Sequence, residues 1–270
     1  MYTFVIRKIE GDNMIKSFAF HILKGGVGKT SLSGNIAYYI GQNKKTILID
    51  CDIQSNSTNW FYPDMPSIEL ADVLQGNHEV KEATIELSDN FYLLPTKKQN
   101  SNLKLYSETQ LFNEPFIFED LLKELEKLGF EIAVFDLSPS ISQLERCILL
   151  AVNEVITPLT PEYFSYDGVE LFNSELQKIN KSYRKKIRHK KIVINNINQS
   201  FSTHKAYLDA INKLTNYEIF TIPQDRKIAD SQINNKSIFE YDKNSKTIPE
   251  LQRLSNAMIG ANFGNKEKHQ

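Results

Sequence analysis

The chain has 270 residues, 41% of them hydrophobic and 24% charged, and 32 Lys and Arg stand against 33 Asp and Glu for a formal net charge of -1. That is the composition of an ordinary globular protein able to bury a full core, and so even a balance gives no global field toward nucleic acid or anionic lipid; such binding would need a local patch. No run nears the roughly 18 apolar residues of a membrane span, the first residues lack the apolar stretch of a signal peptide, and Cys51 and Cys147 are too few for a disulfide framework, so a cytoplasmic protein is expected.

Apolar runs of strand length alternate with segments of helical period. Residues 18–23, Phe-Ala-Phe-His-Ile-Leu, read as a strand, and 31–40 as a helix stopped near Gly41. Residues 46–50 form a second strand and 91–94 a short third, ended by Pro95. Residues 56–90, with weak periodicity, are expected to hold short helices and loops. Phe116, Leu121, Leu122, Leu125 and Leu128 have helical spacing and stop at Gly129; 132–136 is the next strand and 144–150 the next helix. Strands at 155–156, 192–194 and 219–222 are separated by helices near 168–180 and 203–214. Near-continuous apolar strands are buried on both faces. Their alternation with helices predicts an α/β fold: a single-domain, doubly wound, mostly parallel sheet. That unit is expected over 15–264, with a disordered or loosely attached leader at 1–14 and a polar tail at 265–270.

Between the first strand and the first helix stands Lys24-Gly25-Gly26-Val27-Gly28-Lys29-Thr30, followed by Ser31. Strand, glycine-rich turn and a helix opening in Lys-Thr are the context of a phosphate loop. Glycines let backbone N–H groups point inward, and the helix N-terminus adds its dipole. Lys29 would lie against the β- and γ-phosphates and the Thr30 hydroxyl would ligate Mg²⁺. The bland alternative is a tight strand-to-helix connection.

The loop departs from Gly-x-x-x-x-Gly-Lys-Thr, with Leu23 in place of the first glycine and a second lysine at Lys24. In this it resembles the deviant-Walker ATPases of the ParA/MinD family, and most closely the short ParA partition proteins. The resemblance implies a P-loop NTPase core, ATP and Mg²⁺ as cofactors, and an early lysine, Lys24, that reaches across an ATP-sandwiched homodimer to the partner's phosphates. Asp50-Cys51-Asp52-Ile53-Gln54 looks like the family's first switch, Asp-x-Asp-Pro-Gln, with Ile53 in place of proline. By that likeness Asp52 positions the attacking water and Asp50 lies near the metal. Val134-Phe135-Asp136-Leu137-Ser138-Pro139 fits a Walker B strand and second switch, with Asp136 on a metal-bound water. Carboxylates at strand ends face the crevice where parallel sheets bind ligands, although acidic strand ends also occur as plain caps.

Guanine-reading Asn/Thr-Lys-x-Asp is absent; Asn195-Asn196-Ile197-Asn198 stands there instead, which argues for adenine. Family members contact the base at positions matching Asn195 and the loop Pro223, Gln224, Asp225. Residues 181–191 hold seven Lys or Arg in eleven. Arg184, Lys185 and Lys186 are its candidate DNA contacts by phosphate neutralisation, against the bland reading of a solvated helix end. Arg226 and Lys227 are placed to extend that patch. Leu251, Leu254, Met258 and Ile259 read as core packing, and no C-terminal amphipathic membrane helix follows. Cys51 and Cys147 are not spaced as cluster ligands. The resemblance implies a short ParA-type ATPase associated with the nucleoid, which partitions a chromosome or plasmid with non-specific DNA and a ParB-like partner. A positioning ATPase for another cargo and a regulatory nucleotide-binding module with little turnover are the rivals.

Overall fold

The structure, a computed structural model, describes residues 14–98, 102–161, 165–198, 200–212 and 214–260, with backbone alone at 165–167. In chain order β1 (Lys16–Phe20) leads to α1 (Lys29–Gly41), β2 (Thr46–Cys51) and three short helices, α2 (Asn56–Phe61), α3 (Leu70–Leu74) and α4 (Val80–Ala83). Then come β3 (Ile85–Ser88), β4 (Phe91–Leu94), α5 (Asn102–Thr109), α6 (Ile117–Lys127), β5 (Ile132–Leu137), α7 (Gln143–Ala151) and β6 (Glu154–Leu159). After them run α8 (Ser165–Tyr183), β7 (Arg188–Ile197), α9 (Ser202–Ile211) and β8 (Glu218–Pro223). The described chain ends with α10 (Lys227–Ile233), α11 (Ile238–Tyr241) and α12 (Ile248–Ile259). The leader, apart from Met14, and the polar tail lie outside the described residues.

The strands make one sheet in the order β3-β4-β2-β5-β1-β6-β7-β8, parallel except where β3 meets β4. Side chains alternate between its faces. Ala19, Ile47, Ile49, Ala133 and Phe135 enter one core with Leu121, Ile148 and Phe172. Phe18, Phe20, Leu48, Ile132 and Val134 enter the other with Ile36, Ile40, Leu254 and Met258. Both faces are covered, so these strands carry no polar alternation and read as apolar runs. The C-terminal apolar positions are indeed core: Leu251, Leu254, Met258 and Ile259 are all buried.

Three boundaries differ from expectation. β1 spans 16–20 rather than 18–23, because His21 bonds Ile156 O (3.0 Å) and the chain then leaves the sheet; burial of Ile22 keeps the sequence looking like strand. β3 lies in the stretch read as helices and loops. It is an antiparallel edge, half-buried at alternate positions and joined to β4 by Asp89-Asn90. β7 is ten residues long and begins at Arg188, so the last four residues of the basic run, 188–191, are strand.

From β1 the chain crosses to β2 on one side, and from adjacent β6 to β7 on the other. This reversal opens a crevice at the strands' C-terminal ends. The loop after β1 lies there.

Candidate active site

The loop from His21 to Gly28 turns on two glycines in left-handed conformation, Gly26 (φ 73°) and Gly28 (φ 93°). A side chain at Gly28 would be strained, and its Cβ would stand 2.1 Å from the Asn195 amide nitrogen. α1 has no side-chain cap and no acidic residue in its first turn. Its first N–H groups thus stay available for an anion, and no carboxylate opposes one. Lys29 is buried at 7% exposure, and its ammonium donates to Lys24 O at 3.1 Å. Burial lowers its pKa, while Asp136, Asp52 and Glu145 draw it back up. Lys24 is half-buried.

Register sets the carboxylates side by side: Asp50 on β2 pairs with Asp136 on β5, and Asp136 with Phe20 at the end of β1. Both are fully enclosed, and each is pushed up chiefly by burial and further by a neighbouring carboxylate: Asp50 to about 8 with Asp136, Asp136 to about 6 with Asp52. The N-terminal turn of α2 relieves the pair. Thr58 N and Oγ1 donate to Asp50 Oδ2 at 2.7 and 2.8 Å, and Ser57 Oγ to Asp136 Oδ2 at 2.7 Å. Asp52 N donates to Asp50 Oδ1 at 3.2 Å. Both oxygens of Asp50 are therefore engaged by the protein. Asp136 Oδ1 is buried and has no donor in good hydrogen-bond geometry, the Thr30 hydroxyl being the neighbour that, with Ser57, draws this carboxylate back down. A buried acceptor left without a donor is costly, and a hydrated cation beside Thr30 would satisfy it. Among the described residues no group of three or more His, Cys, Asp or Glu could hold a metal alone. Mg²⁺ uses one or two carboxylates and takes its other ligands from phosphate and water.

Asp52 is 7% exposed, and its Oδ1 accepts from Gln54 N at 2.9 Å, fixing the turn before α2. A cleft of about 810 Å³ opens beside it, lined by Gln54, Ser138 and Pro139 from the two acidic loops, by Glu145 of α7 and by Phe112. On the other side a smaller cleft of about 200 Å³ brings together Gly26, Gly28, Ser31, Asn195, Pro223 and Asp225. Gln224 is exposed and does not line it. Asn195 donates to Val27 O at 3.0 Å and so braces the loop, and Asp225 Oδ2 accepts from Ser245.

Residues 15–189 match the model of the AAA domain family. The chain is 45% identical over 246 residues to the uncharacterized protein BBD21 of Borreliella burgdorferi, covering 90% of this chain and 99% of that one. It is 27% identical to the chromosome-partitioning ATPase Soj of Thermus thermophilus, over 64% of this chain and 66% of Soj. The chain belongs to the ParA/MinD family of ATPases. A structure described as a plasmid partition protein from Borrelia burgdorferi B31 bound to AMPPNP shares the fold, with a TM-score of 0.76 at 22% identity over 91% of this chain and 98% of that one.

In this ParA/MinD-type chain the two basic groups do not form one patch. Arg184, Lys185 and Lys186 precede β7, whereas Arg226 and Lys227 follow β8. The strands are parallel, so the groups lie at opposite ends of the sheet, about 30 Å apart along a strand the length of β7. The run at 181–191 is also partly engaged. Lys191 is buried against Glu154 (3.0 Å), Arg188 reaches the same carboxylate, and Lys185 pairs with Glu119. Arg184 (φ 53°), Lys186 and Arg226 are exposed, and Lys227 pairs with Asp242. Among the described residues no helix is long and apolar enough to cross a membrane. Cys51 and Cys147 are buried free thiols, both raised by burial.

Three further residues shape the site. Ser57 and Thr58 hold the carboxylates, and buried Glu145 ties the second acidic loop by accepting from Ser138 Oγ and from Ser142 N and Oγ. Ser142-x-x-Glu145 is a capping box visible in the sequence. Ser57 and Thr58 carry no such signal.

Proposed function

We propose that the chain is a Mg²⁺-dependent ATPase of the partition type, closing as an ATP-sandwiched homodimer that binds DNA non-specifically and is stimulated by a ParB-like partner in the cytoplasm. One observation carries the reading: Lys29, Asp136 with its unpartnered oxygen, and a glycine cradle meet where the family's loop runs into α1. Lys29 binds the β- and γ-phosphates, and Gly25, Gly26, Val27, Gly28 and Ser31 offer backbone or hydroxyl donors. Thr30 and Asp136 hold the metal shell, the metal supplying charge neutralisation of the phosphates when bound. Asp50 acts at one remove, since its Oδ2 is spent on Thr58 of α2 and its Oδ1 on Asp52 N. Asp52 orients water, and Lys24 serves the second copy's phosphates. Asn195, Pro223 and Asp225 face the base. The AMPPNP bound to the Borrelia partition protein and the name of Soj support nucleotide binding and a partition role.

Phosphate release from ATP, measured with and without Mg²⁺, DNA and a ParB-like protein, tests this. Slow turnover that needs Mg²⁺, rises with DNA and partner together, and vanishes in Lys29→Ala is expected. Turnover unaffected by Lys29→Ala would contradict it, and no turnover under any condition would favour a regulatory nucleotide-binding module.

A further inference from the structure

α2 is six residues long, too short to hold itself as a helix, so its position is set by what its ends touch. One end carries Ser57 and Thr58, the donors to Asp136 and Asp50. The other carries Trp60, the single tryptophan of the chain. Trp60 is 4% exposed, and its Nε1–H donates to Lys236 O at 2.9 Å. Lys236 lies in the turn between α10 and α11, beside Asn235, which holds φ 53°. Beneath the indole runs α1 with Gly34. A Cβ there would stand 2.4 Å from Trp60 Cζ3 and 2.8 Å from Phe61 Cε2. Glycine inside a helix is disfavoured against alanine, so Gly34 is explained by the notch it leaves for this ring. Trp60 also stacks on Phe61, with centroids 4.3 Å apart.

We propose that Trp60 is a positioning residue of the ATPase site. It seats α2 between Gly34 of α1 and the Lys236 turn, and α2 in turn holds Asp50 and Asp136. The proposal rests on the nucleotide reading above. It extends that reading to a physical link from the two carboxylates, through a short rigid body, to the α10–α11 turn. That turn follows Arg226 and Lys227, and its neighbour Ile233 is 79% exposed. The same segment also grips α1 at two points, through Gln232 Nε2 to Ser31 Oγ (3.0 Å) and Ile238 N to Asn35 Oδ1 (2.8 Å). A change at the carboxylates thus has a route to this surface that does not pass through the sheet.

Two substitutions test it from opposite sides. Trp60→Phe keeps a ring but deletes the N–H donor, and Gly34→Ala keeps the indole but fills its notch. Each is checked for a cooperative thermal transition, then compared with the wild type in hydrolysis kinetics and in AMPPNP–Mg²⁺ binding. Trp60 emission is followed in the wild type and in Gly34→Ala. The expected result is AMPPNP affinity within about twofold of wild type and KM little changed, but kcat lower by about 10-fold, as for other residues that orient ligating carboxylates. AMPPNP shifts the indole emission of the wild type, and in Gly34→Ala that shift is lost. Folded variants with wild-type kcat, or Gly34→Ala emission that responds as in the wild type, would reduce Trp60 to a packing residue and overturn the proposal. A wild type that fails to bind AMPPNP refutes the nucleotide reading and, with it, this one.

Discussion

Lys24 and Lys29 sit five residues apart, one in the loop and one on the first turn of α1, yet their proposed tasks differ. Lys29 is buried among Asp136, Asp52 and Glu145, and its proposed place is against the phosphates of its own chain. Lys24 is half-buried at the start of the loop and offers its carbonyl to Lys29. Lys29→Ala should abolish ATP binding, whereas Lys24→Ala should bind ATP nearly as well as wild type but fail to dimerise. Titration of nucleotide and light scattering check the two halves separately, and equal loss of ATP affinity in both variants would refute the division. The loop and the acidic strand ends were legible because phosphate and metal chemistry restricts residue type and spacing. The duty of Asp50 was not. A carboxylate buried beside another must find donors, and which residues supply them depends on how α2 folds back, which no local pattern encodes.

Elements were legible wherever the sheet buries both faces, since nothing but an apolar run suits that environment. They were lost at the edge. β3 has the half-exposed alternation of an antiparallel edge strand, four residues long, and a strand so short gives little periodicity to read. β7 was cut short because its first half carries charge, and that charge is tolerated through Glu154 on the neighbouring strand. The same strand bears His189, packed under α8. Its Nε2 meets Thr157 Oγ1 and its Nδ1 meets Asn173 Oδ1, each at 2.8 Å. Burial, with Lys190 adding to it, lowers this histidine from 6.5 to about 4. The unfolded chain therefore takes up a proton near 6.5 that the fold refuses until about 4. His189 costs no stability above 6.5, and its penalty grows as pH falls through this window, by up to about 1.4 kcal/mol per pH unit. The raised Asp50 and Asp136 act in the opposite sense, so the comparison is between variants. Urea unfolding of His189→Gln should show a shallower loss from pH 6.5 to 4 than wild type; parallel curves would mean that His189 does not titrate as described.

For the whole molecule, a net charge of -1 means that the proposed DNA affinity must come from local groups, which the proposed dimer would bring together. Two weak patches on one duplex gain avidity of about 10²–10⁴. The groups at 184–186 and 226–227 lie at opposite ends of the sheet, a separation invisible in a linear sequence. Arg184, Lys185 and Lys186 changed together to Glu should weaken ATP-dependent binding to all DNA sequences alike. The slope of log affinity on log salt should flatten by about 0.9 for each phosphate no longer neutralised. Arg226→Glu should leave both unchanged, and the reverse pattern in a mobility assay would move the DNA surface to the α10 end. All of this depends on ATP closing a dimer. The most direct test is the molar mass of Asp52→Ala in solution, by light scattering, with Mg²⁺ and either ATP or ADP. Removing the water-positioning carboxylate should slow hydrolysis by about 10²–10⁴ and trap the closed form. A closing dimer should show a mass near twice the chain's 31.1 kDa with ATP and a monomer with ADP; a monomer in both, with ATP bound, would contradict the ATP-closed dimer.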